Sequence, residues 1–144
     1  THILEYEIPG SNGSAIDVVG LFNHDNFARS LPETKIILNT SLSNNNHKVS
    51  LFGRYVSDYS TTRPLSSAAK SAGFNQKIDQ WITFDLQYSY SFALSGNDVR
   101  LSIGSNNILD EDVPIVYDAA NFSYDPKHHD PRGRLFYFGL KLIR

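Results

Sequence analysis

The segment from Trp81 to Leu94 constrains the fold most, because its side chains alternate in polarity along its whole length. One parity is apolar or aromatic: Ile82, Phe84, Leu86, Tyr88, Tyr90, Phe92 and Leu94. The other is mostly polar and includes Thr83, Asp85, Gln87, Ser89 and Ser91. Successive side chains of a strand point to opposite faces, so the pattern predicts one long strand with two different faces. Soluble strands have about five or six residues, whereas a tilted membrane-spanning strand needs about 9–11.

Five further segments alternate in the same way and predict five more strands. They span residues 2–8, 35–42, 48–55, 99–104 and 135–143, and the first alternates least clearly. Long connections are expected at about residues 9–32, 60–79 and 107–134, and tight turns at residues 45–46 and 96–97. In an antiparallel meander all the long connections then lie at one end of the sheet. Bacterial outer-membrane barrels have this asymmetry.

The two tight turns predict how neighbouring strands pair. With Gly96 and Asn97 at the tip, a type II′ hairpin fits because glycine takes the first central position. This register pairs Leu94 with Val99, Phe92 with Leu101 and Tyr90 with Ile103. With Asn45 and Asn46 at the other tip, Leu42 pairs with Val49 and Thr40 with Leu51. In both hairpins the predicted partners share one face of the sheet.

Alternation by itself also fits a soluble sheet with one buried face. A membrane barrel is favoured by the long strands, by the segregation of loops by length, and by aromatic side chains near a strand end (Tyr88, Tyr90 and Phe92). We therefore predict an all-β fold: an antiparallel meander of six long strands that is a fragment of a large transmembrane β-barrel.

The two faces of the predicted sheet have different expected environments. Lipid contacts the face that carries Ile82, Phe84, Leu86 and Tyr88, and the lumen contains Thr83, Asp85 and Gln87. Six strands are too few to close, since the smallest single-chain barrels have about eight. Residues 2–8 and 135–143 are the expected open edges.

Composition excludes several other classes of protein. The formal net charge of -2 gives no basic surface for nucleic acid. The chain has no cysteine, which excludes disulfides and thiolate metal sites. It begins at Thr1 and contains no methionine, so we expect a processed or truncated chain.

No motif indicates catalysis or a cofactor, so an enzyme is not expected. The region around residues 110–130 is acidic and contains His128 and His129, but its spacing does not match a calcium-binding loop. We interpret it as a solvated extracellular loop whose carboxylates pair with Lys127, Arg132 and Arg134, with a cation site as the alternative.

The same loop supplies the candidate substrate contacts. These are Tyr117, Phe122, Tyr124, His128 and His129. Binding residues concentrate on loops that a rigid scaffold holds, so aromatic side chains here point to ligand contact. The alternative is that they pack within the loop or against a neighbouring loop.

Residues 104–114 (GSNNILDEDVP) resemble the penultimate-strand motif of TonB-dependent outer-membrane receptors. In that family a strand ends in Asn-Leu-Phe-Asp and runs into an acidic loop that contains proline. Leu109 stands where an aromatic residue is usual, and Val113 where many members have proline. Residues 124–126 and 130–141 look like the family's last loop and strand, and residues 30–33 and 53–55 are also similar.

The resemblance implies that residues 1–144 are the C-terminal segment of a barrel of about twenty-two strands that encloses an N-terminal plug. It implies active uptake of a scarce nutrient (a siderophore, vitamin, saccharide or peptide) through the Gram-negative outer membrane, with TonB engaging a short N-terminal segment, the TonB box. The C-terminus would be periplasmic and the long loops extracellular. Arg144 occupies the position where such barrels usually end in an aromatic residue, which indicates a trimmed terminus or a weakened assembly signal. The alternatives are a passive porin and a soluble β-sheet ligand-binding module.

Overall fold

The computed structural model describes residues 5–7, 15–22, 30–117 and 123–143. The short strands are β1 (Glu5–Glu7), β2 (Ala15–Asp17), β3 (Leu21–Phe22), β4 (Ser30–Leu31), β7 (Tyr59–Thr61) and β8 (Lys77–Ile78). The long strands are β5 (Lys35–Asn44), β6 (His47–Val56), β9 (Trp81–Leu94), β10 (Asn97–Asn106) and β11 (Leu135–Ile143). One helix, α1 (Ser67–Ser71), begins at the N-cap Ser66, whose hydroxyl accepts a hydrogen bond from the Ala69 amide. Within these ranges, no helix is long and apolar enough to cross a membrane.

The fold is all-β, with three sheets among the described residues. The five long strands form one sheet in the order β11-β10-β9-β6-β5, which confirms a meander of long strands. A four-stranded sheet has the order β4-β3-β7-β8, in which β3 and β7 are parallel and the other pairs are antiparallel. The third sheet contains only β1 and β2.

The prediction for the first strand, at residues 2–8, has to be corrected. Of residues 2–8, only Glu5–Glu7 are described, and they pair with Ala15–Asp17 instead of extending the long sheet. The long sheet therefore has five strands among the described residues, and its edges are β5 and β11. The edge expected at residues 135–143 is confirmed, and the one expected at residues 2–8 is wrong.

The chain divides into two compact units. The first, which we call the loop unit, contains Thr1–Lys35, Val56–Trp81 and Val113–Asp130. The second, the sheet unit, contains Ile36–Tyr55, Ile82–Asp112 and Pro131–Arg144. Most of each long strand belongs to the sheet unit, and most of each long connection belongs to the loop unit.

The tight turn between β9 and β10 corrects the predicted register. Leu94 pairs with Asn97, Phe92 with Val99 and Tyr90 with Leu101, so the tip is Ser95-Gly96. Both tip residues have positive φ, 50° and 80°, which is typical of a type I′ turn. The slip of two residues keeps every side chain on its predicted face. The other tip lies at residues 45–46 as predicted, and Asn45 has φ 52°.

Most of the exposed large apolar side chains of the long sheet lie on its apolar parity. Its exposed large side chains include Ile36, Leu38, Leu42, Val49, Leu86, Tyr88, Ile103, Phe136, Phe138, Leu140 and Leu142. Phe138 and Leu140 are 70% and 66% exposed, whereas Val99 on the same parity is buried. On the polar parity of β9, Thr83 and Ser89 are buried. A soluble sheet that buries one face has the opposite distribution.

Gly104 stands on the polar face at a position where any side chain would clash. It pairs with Tyr137 in β11, and a Cβ at this position would lie 2.5 Å from the Tyr137 ring and 2.8 Å from the Leu86 carbonyl oxygen. Only glycine leaves room for the ring to lie across the strand.

Candidate functional site

Asp125 organises a buried polar cluster in the loop unit. Its Oδ2 accepts hydrogen bonds from the Ser30 hydroxyl and, at 2.8 Å, from the Tyr59 hydroxyl. Its Oδ1 accepts one from the Lys127 amide at 3.0 Å. Asp125 is only 1% exposed, so these donors replace the water that its carboxyl group has lost. The cluster fastens the segment after residue 123 to strands β4 and β7.

Burial and charge change the proton affinity of Tyr59. Burial raises the pKa of its hydroxyl, and the Asp125 carboxylate raises that pKa further because a phenolate beside it would be repelled. Tyr59 is therefore a permanent hydrogen-bond donor near neutral pH.

Two histidines follow Asp125, and the structure places them differently. His128 is half-buried, with Nδ1 3.1 Å from the Lys35 ammonium and Nε2 3.2 Å from the Ser30 carbonyl oxygen. His129 is 4% exposed and stacks on Tyr59 at 6.2 Å, with the Trp81 ring edge-on at 5.3 Å. Neither ring nitrogen of His129 has a hydrogen-bond partner.

Burial lowers the pKa of both imidazoles. The pKa of His129 falls to about 4, because its apolar surroundings disfavour the charged form more than Asp125 favours it. Burial also lowers the pKa of His128, and the Lys35 charge acts in the same direction. Both rings are neutral at pH 7.

The loop unit also has an apolar core directly beside this cluster. Its members are Phe22, Val56, Tyr59, Ile78, Trp81 and Val116, with Val113 packed against them. Val116 is fully buried, and its amide donates to the Ser123 carbonyl oxygen at 2.8 Å. Residues of the last long loop are thus part of a core.

The predicted substrate contacts are distributed over this unit. Tyr117 is half-buried; its ring lies 5.8 Å from that of the exposed Phe74, and its hydroxyl is 3.4 Å from Ser66 Oγ. Tyr124 is half-buried, His128 and His129 belong to the Asp125 cluster, and Phe122 lies outside the described residues. Ligand contact stays a prediction for all five.

The segment that carries the family resemblance forms a closed turn in the sheet unit. Asn107 is buried at the end of β10; its side chain accepts from the Glu111 amide at 3.0 Å and donates to the Glu111 carbonyl oxygen at 2.9 Å. Its amide donates to Asp85, which also pairs with Arg54 at 2.7 Å. Asp110 accepts from the Arg134 amide at 2.8 Å, which joins the start of the loop to its end.

The expectation for the acidic loop holds only in part. Asp110 pairs with Arg134 as predicted, at 3.3 Å, but Asp125 is buried among neutral donors. Across the part of the chain that the structure describes, no three His, Asp or Glu side chains are grouped so that they would hold a metal ion.

Sequence reasoning missed the partners of Asp125. Ser30 and Tyr59 lie 95 and 66 residues away in the chain. Ser30 belongs to the segment 30–33 that is similar to the receptor family, but that similarity does not indicate a contact with Asp125. No signal in a single sequence would have joined them.

Comparisons with protein-family models, with curated proteins and with solved structures give no match to this chain. Its function must therefore be argued from its own geometry and chemistry.

Proposed function

We propose that the sheet unit is part of a transmembrane β-barrel whose apolar face contacts lipid. The observation that carries this proposal is the exposed apolar parity, because soluble monomers rarely expose apolar patches larger than a few hundred Å². Side chains such as Phe136, Phe138 and Leu140 would be costly in water and stable in a bilayer.

Strand length and the open edges support the same proposal. The long strands have 9 to 14 residues, and about 9–11 are needed to cross a bilayer with tilt. Strand β5 is exposed at all ten positions and forms an edge of the sheet. A long apolar edge pairs with another strand or aggregates, so we infer that further strands continue the sheet.

The particular protein we propose is a TonB-dependent receptor that takes up a scarce nutrient. The turn built by Asn107, Asp110 and Arg134 gives a structural reason for the Asn-x-x-Asp pattern of the resemblance. In this proposal the barrel has about twenty-two strands around a plug, the long connections lie outside the cell, and the tight turns lie in the periplasm.

The complete protein, produced in a Gram-negative host, tests the proposal in two steps. We expect it in the outer-membrane fraction, with slower electrophoretic migration after boiling than before, as folded barrels show. Recovery in the soluble fraction would refute the membrane assignment. We then expect binding to the purified periplasmic domain of TonB and no swelling of liposomes that contain arabinose. Swelling without TonB binding would identify a passive porin instead.

A further inference from the structure

An apolar hollow lies on the exposed face of the sheet unit, near the tight turns. It has a volume of about 460 Å³, and its walls include His47, Tyr88, Tyr90, Leu101, Ile103 and Phe138. The hollow is therefore suited to a hydrocarbon chain, since aromatic and aliphatic walls provide few partners for a polar ligand.

His47 gives this hollow one polar end. It is the first residue of β6 after the turn at residues 45–46, and its ring lies 4.9 Å from that of Tyr90. Its Nδ1 is 2.6 Å from the Tyr88 hydroxyl. When the Tyr88 hydroxyl donates to Nδ1, the imidazole carries its proton on Nε2. Nε2–H is then the donor that remains for a ligand oxygen.

The ligand that fits both features has a long apolar part and an acceptor oxygen at one end. Resting on the proposed lipid-facing role of this sheet, we propose that the hollow binds one phospholipid of the periplasm-facing leaflet. An acyl chain lies against Tyr90, Ile103 and Phe138, and a phosphodiester oxygen accepts from His47 Nε2. The tight-turn end is the periplasmic end in the proposed orientation, which favours phospholipid over lipopolysaccharide.

The test counts the lipids that remain on the purified complete receptor. After exhaustive washing in a mild detergent, native mass spectrometry should show one phosphatidylethanolamine or phosphatidylglycerol per receptor. Tyr90→Ala removes an aromatic wall and should reduce retention about tenfold, in line with the contribution of a buried aromatic ring. His47→Phe keeps a ring but removes the donor, and should also reduce retention about tenfold.

The matched control is Leu142→Ala, which removes an exposed apolar side chain of the same face outside the hollow. It should retain phospholipid like the wild type. Heat-modifiable migration shows that each variant is folded, and His47→Phe preserves the test if Tyr90→Ala fails to assemble.

Three results would overturn the site: no retained phospholipid on the folded wild type, equal retention in all variants, or retention of lipid A in its place. Absence from the outer membrane would instead refute the proposed barrel. The two failures are therefore distinguishable.

Discussion

The loop unit and the sheet unit differ in the burial of their large apolar side chains. In the loop unit Val116 and Ile78 are fully buried, and the buried Asp125 accepts hydrogen bonds from Tyr59 and from the Lys127 amide. In the sheet unit Phe136, Phe138 and Leu140 are exposed, while Thr83 and Ser89 on the opposite parity of β9 are buried. The first arrangement buries apolar side chains in a core, and the second is the one expected of the lipid-facing sheet that we propose.

Both arrangements follow from the length and pattern of the segments. The long strands alternate over enough residues to cross a bilayer, whereas the short strands of the loop unit have two or three residues and cannot. The connections between the long strands contain an apolar core of their own.

The largest loss of stability is expected for a charge introduced on the apolar parity in the middle of β9. Leu86→Arg places a charge on the proposed lipid-facing parity and should reduce the free energy of unfolding by about 2–4 kcal/mol. Gln87→Arg, one residue along on the opposite parity, should cost much less. Denaturant titration of the complete protein in phospholipid vesicles measures both.

Equal tolerance of the two arginines would mean that Leu86 faces water, and the membrane assignment would fail. In water, a substitution at a partly exposed residue such as Leu86 changes stability by about 0.5 kcal/mol or less.

The second prediction is that the stability of the loop unit depends on pH through His129. The folded-state pKa of His129 is about 4, below the 6.5 of the free side chain, so the unfolded segment binds more protons between these values. Stability of the loop unit is complete above pH 6.5 and should fall by up to about 3 kcal/mol as the pH decreases to 4. His128 contributes in the same direction. The protection of residues 123–130 against hydrogen exchange, corrected for the intrinsic exchange rate at each pH, should therefore fall over this range.

The control is His129→Phe, which fills the site between Tyr59 and Trp81 without a titrating group. It should remove most of the pH dependence of the loop unit. If the His129→Phe protein kept the wild-type slope, His129 would not be the source of that dependence.

The third prediction compares two adjacent residues of the last long connection. Val116→Ala removes two methyl groups from the core of the loop unit and should cost about 2 kcal/mol. Ile115→Ala, at a residue that is 63% exposed, should cost less than about 0.5 kcal/mol. Hydrogen exchange and protease resistance of residues 59–81 measure the difference. Similar costs would show that Val116 is not part of a core.

This core also changes an expectation for the last long loop. Length and polarity alone would make residues 116–129 look dispensable for assembly of a barrel, but Val116, Asp125 and His129 are buried. Replacement of the whole segment would remove the core and the Asp125 cluster together. Substitutions at the half-buried Tyr117 and Tyr124 test ligand contact more cleanly.

Much of the sheet unit was predictable because regular alternation is a local signal. The pattern over residues 81–94 gave both the strand and its faces, and Asn45-Asn46 gave a turn. The predicted tip of the second hairpin differs from the observed tip by one residue. Ser95 adopts a positive φ that serine seldom takes, and a glycine fits a type I′ turn as well as a type II′ turn.

The loop unit was not predictable in the same way. Strands such as β3 and β8 are too short to show a period, and the core brings together residues from Phe22 to Val116. In sequence, Trp81 shares the parity of the predicted lumen residues and His129 is a candidate substrate contact. In the structure the two rings contact each other in a buried site. Such contacts depend on chain closure over many residues, which a single sequence does not show.

The smallest loss of stability is expected at the Asp110–Arg134 ion pair, which we compare with the buried Asp125. Asp110 of the sheet unit pairs with Arg134 in an exposed ion pair at 3.3 Å, whereas Asp125 of the loop unit is buried among neutral donors. Arg134→Gln should cost roughly 0.2–1 kcal/mol, because solvent screens the pair and the backbone hydrogen bond to Asp110 remains. The difference from wild type should shrink further in 1 M salt, where the screening length is about 3 Å.

Asp125→Asn serves as the contrast: it should cost more, about 1–3 kcal/mol, and salt should not change it. A salt-independent loss of more than 2 kcal/mol in Arg134→Gln would show that the Asn107–Arg134 turn is an anchor of the fold and not a solvated closure of the loop.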